Sequence, residues 1–265
     1  MMKKLEIERL TIIATTVCNL RCKLCSNLMP RFKKPCHEPV EDLIKDTDGF
    51  FSLIDYIKYF HYVGGEVFTR KDMAPVYENC LKYRNRFQTL RIITNATLLP
   101  CKADLSVLRR FGNQLEIQIS DYGILSKVEQ LTNLLYENQI YYTVKTYHGK
   151  DQHYGGWIDN TKFEDLGLSG ESLKNHFQHC GTRNIECYHA YRGKMYGCPP
   201  MWCTHALGII KPNREDYIDL YDTSMTREEK RLIISNFGKK PYALCNRCVI
   251  YSADSERFPA AQQMN

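Results

Sequence analysis

The sequence has no long apolar run. The opening stretch K-K-L-E-I-E-R-L-T-I-I-A is interrupted by Glu6, Glu8 and Arg9, which argues against a secretory signal, and nothing further on resembles a membrane span. A cytoplasmic chain with no membrane partner is the expectation. Nor is there a basic run: no stretch of Lys and Arg exceeds two residues, and the basic residues are interleaved with acids. The formal charge of +6 therefore reads as solvated surface, and no nucleic-acid partner is expected. There is also no internal repeat and no low-complexity tract. Only the last dozen residues read as a loose tail.

What the 265 residues do contain is 12 cysteines, far more than packing requires. A reducing compartment disfavours a disulfide framework, so metal or redox chemistry becomes the leading explanation. The length suits one large domain, or a medium one with an appendage.

Up to about residue 147 the pattern alternates between strand and helix. Strands are predicted at 10–15, 59–64, 90–94, 115–120 and 140–147, where short β-rich runs suit burial. Between them, apolar residues recur at helical steps: Phe50, Leu53, Ile54 and Ile57; Val76, Tyr77, Cys80 and Leu81; Leu105, Leu108 and Phe111; Val128, Leu131 and Leu135. Repeating β-α units imply a parallel sheet with right-handed crossovers. After a polar, Gly-rich stretch the periodicity fades and six cysteines remain, which predicts a smaller, metal-organised second region.

The first cysteine group is Cys18, Cys22 and Cys25, directly after the first predicted strand. Three thiolates at this spacing can converge on three corners of a [4Fe-4S] cube and leave the fourth iron open. Structural zinc usually closes all four positions, and Cys36 or His37 could complete such a site here. A second group follows the second strand as Tyr62-Val63-Gly64-Gly65-Glu66.

Taken in order at the ends of successive strands, these groups resemble the radical S-adenosylmethionine (radical SAM) superfamily, with its CxxxCxxC loop and its GGE motif. The resemblance implies an α/β fold: a partial (β/α) barrel of parallel strands over residues 1–155. It implies that Cys18, Cys22 and Cys25 hold one cluster. It further implies that Gly64 and Gly65 allow close backbone approach, that Glu66 accepts from the methionine ammonium, and that Asn95 and Ser120, each with its neighbour, contact the methionine carboxylate and ribose.

Further on, Cys180 and Cys198 bracket a strand-like stretch that contains Gly193, and Cys245 and Cys248 follow as a CxxC pair. This arrangement is similar to the SPASM/Twitch extension of the same superfamily. No cysteine occurs after Cys248, which favours the shorter, Twitch-like α+β form over residues 156–255, with a tail over 256–265. It implies a second [4Fe-4S] cluster on Cys180, Cys198, Cys245 and Cys248. Cys187 is an alternative ligand to Cys180, and Cys187 or Cys203 could instead donate a hydrogen atom. Cys36, Cys80 and Cys101 read as small buried hydrophobes.

Within the group the pattern most resembles the 2-deoxy-scyllo-inosamine dehydrogenases, which oxidise a secondary alcohol of an aminocyclitol. Tyr154 stands where those enzymes have an arginine before a Gly-Gly pair. The expected activity is reductive cleavage of S-adenosylmethionine to a 5'-deoxyadenosyl radical, followed by oxidation of a small polar molecule with the auxiliary cluster as electron acceptor. Tyr154, His153 and Lys145 are the candidate bases. A flavodoxin or ferredoxin is the expected electron donor. Two alternatives stand beside this reading: radical modification of a ribosomally made peptide, and a non-catalytic iron-sulfur or zinc scaffold. Peptide modifiers often carry an extra N-terminal recognition module, and with Cys18 so near the start none is expected here.

Overall fold

The computed structural model describes residues 4–264, apart from the side chain of Asn184. All five predicted strands form. They are β1 (Glu6–Thr15), β2 (Tyr56–Gly64), β3 (Phe87–Thr94), β4 (Leu115–Asp121) and β5 (Tyr142–Thr146), paired in parallel in the order β5-β4-β3-β2-β1. The predicted helices α1 (Val40–Leu53), α2 (Ala74–Cys80), α3 (Lys102–Leu108) and α4 (Val128–Glu137) fall between them, although Ile54 and Ile57 of the first helical stripe lie beyond α1, Ile57 in β2. This is the α/β architecture that the alternation implied.

The sheet does not stop at the predicted boundary. Strand β6 (Cys187–Tyr191) adds in parallel to the other side of β1, and β7 (Lys194–Tyr196) and β8 (Tyr217–Asp219) continue it antiparallel, giving eight strands. The β6-β7 turn needs two left-handed residues, Arg192 (φ 49) and Gly193 (φ 72). A glycine is required there because Tyr221 packs where a Cβ would stand. Helices α5 (Gly170–Gln178), α6 (Met201–Ala206) and α7 (Arg227–Asn236) complete the second region. At the start of α7, Thr226 accepts from the Glu229 amide while Glu229 reaches back to the Thr226 amide, a reciprocal cap.

The two faces of the parallel strands differ in chemistry. One face carries Leu10 and Ile12, Phe60 and Tyr62, Leu90 and Ile92, and Ile117 and Ile119, all fully or almost fully buried. It is held against the helices: Phe51 of α1 meets Phe60 edge-on at 5.2 Å, and the Tyr62 hydroxyl bonds Thr47 of α1 at 2.6 Å. The opposite face carries Arg9, Thr11, His61, Arg91, Gln118, Ser120, Cys187 and His189, which line a single cavity. Parallel strands are usually apolar on both faces, so this polar lining marks where the chain does something other than pack. No helix among the described residues is long and apolar enough to cross a membrane.

Residues 256–264, which read as a loose tail, are tied down. Trp157 and Phe258 exchange two backbone hydrogen bonds (2.8 and 2.7 Å), and the segment then runs along the first cysteine loop.

Candidate functional site

The cavity, about 340 Å³, is in the range typical of small-molecule sites. Its rim is built at the C-terminal end of β1. There the register slips between Ile13 and Thr15, a bulge that bends the strand just before the cysteine loop. Gly64 and Gly65 then press against this turn. A Cβ on Gly64 would lie 2.1 Å from the Thr15 carbonyl oxygen, and one on Gly65 would lie 2.1 Å from that of Val17. The approach is locked by hydrogen bonds from the Gly65 and Glu66 amides to those same carbonyls, both 2.9 Å.

The loop presents Cys18, Cys22 and Cys25 to the cavity together. Burial pushes the Cys18 thiol up to about 12, against the lowering effect of the Leu20 amide, and burial likewise raises Cys22 and Cys25. N–H donors surround the sulfurs: the Leu20 amide reaches Cys18 Sγ at 3.5 Å, Asn95 Nδ2 reaches it at 3.9 Å, and Gln263 Nε2 reaches Cys22 Sγ at 3.4 Å. Three thiols short of water, facing one cavity and amide donors, fit a bound cluster, which would displace their protons. Cys36 and His37 do not join them. Cys36 faces Arg192 Nη2 (3.3 Å), and His37 Nδ1 bonds Thr15 Oγ1 (2.8 Å).

Asn95, Ser120 and Cys187 line the cavity. Glu66 is placed differently. It is 1% exposed, and its carboxylate is filled from within by Phe68 N (3.0 Å), Thr94 Oγ1 (2.7 Å) and Asn95 N (2.7 Å). It thus braces Asn95 rather than lining the void. Tyr154 is 67% exposed and, like Lys145 and His153, does not line the cavity. Its left-handed backbone (φ 56) turns it toward Tyr251 instead.

The second cysteine set converges on a separate void. Cys180, Cys198, Cys245 and Cys248 line it together with no ionisable neighbour other than Tyr251. Burial raises Cys198 well above the usual thiol value and takes Cys245 to about 11 and Cys248 to about 12. Thr182 Oγ1 lies 2.9 Å from Cys180 Sγ, and the Tyr242 amide donates to Cys245 Sγ at 3.3 Å. Four soft donors and no acid fit an iron-sulfur cluster better than a hard ion. Among the described residues, no three His, Cys, Asp or Glu side chains stand close enough for a single metal ion.

Sequence reasoning missed the cavity's floor. Arg9 Nε and His189 Nδ1 are buried there without a hydrogen-bond partner. His61 is bonded on both sides, to Thr11 Oγ1 (3.3 Å) and Arg91 Nη1 (3.5 Å), while Arg91 pairs with Glu116. It also missed Tyr122 and Trp157, which meet edge-on at 5.7 Å and wall the cavity. The floor did leave a sequence signal: polar residues alternate with apolar ones in Arg9-Leu-Thr11 and in Glu116-Ile-Gln-Ile-Ser120.

No protein-family model matches the chain, and no curated protein matches it. Solved structures do. The chain is similar to BtrN in complex with AdoMet and 2-DOIA, with a TM-score of 0.54 and 15% identity over 97% of this chain and 99% of that one. It is similar also to native anSMEcpe with bound AdoMet and a Cp18Cys peptide (TM-score 0.53, 14% identity, 96% and 93% covered) and to a histidine-tagged form of anSMEcpe with bound AdoMet (0.52, 15%, 98% and 93%).

Proposed function

On the premise that the chain has the fold of radical SAM enzymes, we propose that it is one. Cys18, Cys22 and Cys25 would hold a [4Fe-4S] cluster with one open iron. With S-adenosylmethionine bound, that cluster supplies a 5'-deoxyadenosyl radical able to take a hydrogen atom from a strong C–H bond. The observation that carries the reading is that the three thiols and the polar face of the sheet share one cavity.

This chain's own residues aim and confine the reaction. Gly64 and Gly65 hold the cysteine loop against β2, Glu66 fixes Asn95 beside Cys18, and Tyr122 and Trp157 restrict water. Residues 1–155 supply most of this site, with Trp157, Cys187 and His189 added from beyond, and residues 156–255 would carry an auxiliary [4Fe-4S] site on Cys180, Cys198, Cys245 and Cys248. Of the bases named from sequence, none lines the cavity; the imidazoles that do are His61 and His189, both kept neutral by burial.

The substrate we propose is a small polar molecule, oxidised at an alcohol carbon. That would remove one hydrogen atom, one proton and one electron; a cluster held by Cys180, Cys198, Cys245 and Cys248 would supply an acceptor for the electron, with a flavodoxin or ferredoxin as external donor. The likeness to a complex with 2-DOIA supports a small molecule. The comparable likeness to a peptide complex makes peptide modification the competing outcome.

The test is anaerobic reconstitution followed by mass spectrometry of 5'-deoxyadenosine. Wild type should bind about eight irons and form it. Cys22→Ala should abolish it, while Cys245→Ala should lose about half the iron and keep uncoupled cleavage. Zinc in place of iron, or equal loss in both variants, refutes the assignment.

A further inference from the structure

The floor of the cavity holds a cation without a counter-ion. On this face of the sheet stand the cations Arg9, Arg91, Lys145 and Lys194, the two histidines, and two acids, Glu116 and Asp219, of which Asp219 lies at the far edge and pairs with Lys194. Glu116 is spoken for, with Arg91 Nη2 at 2.6 Å and Thr143 Oγ1 at 2.7 Å. Arg9 has no carboxylate within ion-pair distance among the described residues; its neighbour Glu8 turns the other way and pairs with Lys58 at 2.9 Å. What Arg9 does touch is the Tyr59 ring, 5.7 Å from its guanidinium carbon, and the Cys187 thiol, its register partner on β6. That thiol does not supply the missing charge, since burial raises it more than Arg9 lowers it.

Two polar atoms show that the floor is under-used. Arg9 Nε and His189 Nδ1 are both buried and both lack a partner, and both residues line the cavity. His189 sits opposite Thr11 on β1, two residues along from Arg9 and on the same face. Buried guanidinium and imidazole nitrogens left unpaired are costly, and such atoms in a cavity are usually completed by what binds there. An arginine is also the side chain best shaped for a carboxylate or phosphate.

We propose that the substrate carries an oxyanion, a carboxylate or a phosphate, which docks on Arg9 and His189 and so turns the rest of the molecule toward the cysteine rim. This rests on the enzymatic reading above and narrows its substrate class to acidic small molecules. Neutral sugars and cyclitols then bind poorly, because they leave Arg9 unneutralised.

The experiment uses reconstituted holoprotein with S-adenosylmethionine present, titrated calorimetrically with potassium phosphate and, separately, potassium acetate at constant ionic strength. At least one anion should bind saturably to wild type, and which one does separates a phosphate from a carboxylate substrate. Arg9→Gln should weaken it about tenfold, Arg9→Lys should recover most of that, and His189→Gln should weaken it about threefold. Arg9→Lys and His189→Gln keep the test decisive should Arg9→Gln fail to fold. Equal affinity in wild type, Arg9→Gln and His189→Gln, or no saturable binding of either anion, overturns the proposal. If 5'-deoxyadenosine still forms in that case, only the substrate class falls; if anions bind but no 5'-deoxyadenosine forms, it is the enzymatic reading that falls.

Discussion

Gly65 shows how little room the cysteine loop leaves. An added methyl would stand 2.1 Å from the Val17 carbonyl oxygen and 2.9 Å from the Cys18 Cβ, so the loop itself must move. Gly65→Ala should therefore cost about 1–3 kcal/mol in chemical denaturation, the usual penalty of overpacking, and should lower iron to about four per chain because only the first site is disturbed. An unchanged iron count would show that the loop tolerates the shift. The motif around Gly65 was legible in the sequence, because two adjacent glycines after a strand announce a close approach. What they approach was not legible: the contact is with Thr15 and Val17, and only the β1-β2 register brings those carbonyls there. Glu66 illustrates the same limit. Its type was readable, but its burial under Phe68, Thr94 and Asn95 depends on a strand 28 residues away.

At the scale of the strand, alternation carries the design. Strands β1 to β4 and β6 each turn an apolar set to the helices and polar residues to the cavity. The strands themselves were readable from their β-rich runs, and so were the four helices between them. Their two-facedness was present too, but a short buried strand with an occasional Arg or His does not say which residues meet. Arg9 and His189 are 180 residues apart, and the pairing of β6 with β1 lies outside any local pattern. Their meeting has a consequence for acid stability. Burial, aided by the Arg9 charge, holds His189 down to about 3 from an ordinary value of 6.5, so between those pH values the unfolded chain takes up a proton that the folded chain refuses. Stability is thus fully present above the unfolded value and falls as pH drops, by roughly 1 kcal/mol per pH unit for this group. His61 is pushed the same way by burial and by Arg91 and Arg9. Denaturant titrations from pH 7 to pH 4 should show a shallower decline in His189→Gln than in wild type; parallel curves would mean that His189 is charged in the fold.

Over the whole molecule, the two cysteine sites are joined through backbone rather than a linker. Strand β6 lies between Cys180 and Cys198 in sequence and pairs with β1, whose loop carries Cys18, so the sheet physically connects both sets. The described C-terminal segment adds a second connection. The Lys23 amide donates to the Gln262 carbonyl (2.7 Å), the Met264 amide to the Arg21 carbonyl (2.8 Å), the Arg21 amide to Gln263 Oε1 (2.7 Å), and Gln263 Nε2 reaches Cys22 itself. Composition made this stretch look like a tail, since its hydrogen bonds are mostly backbone and leave no trace in residue type. Of its residues only Ala261 is a buried hydrophobe, and it stands outside the main core cluster, which ends at Leu244 and the nearby cysteines. Deleting 256–265 should for that reason leave the fold nearly intact by circular dichroism while stripping these backbone bonds and both Gln263 contacts from the cysteine loop. At about 1 kcal/mol of hydrogen bonding each, partly replaced by water, the loss should shorten the half-life of the first cluster in trace air by about tenfold. The auxiliary iron should be retained, because its four thiols stand in a void that residues 256–264 do not line. Equal decay of both iron pools in the truncated and full-length proteins would remove the strap from any role at the site.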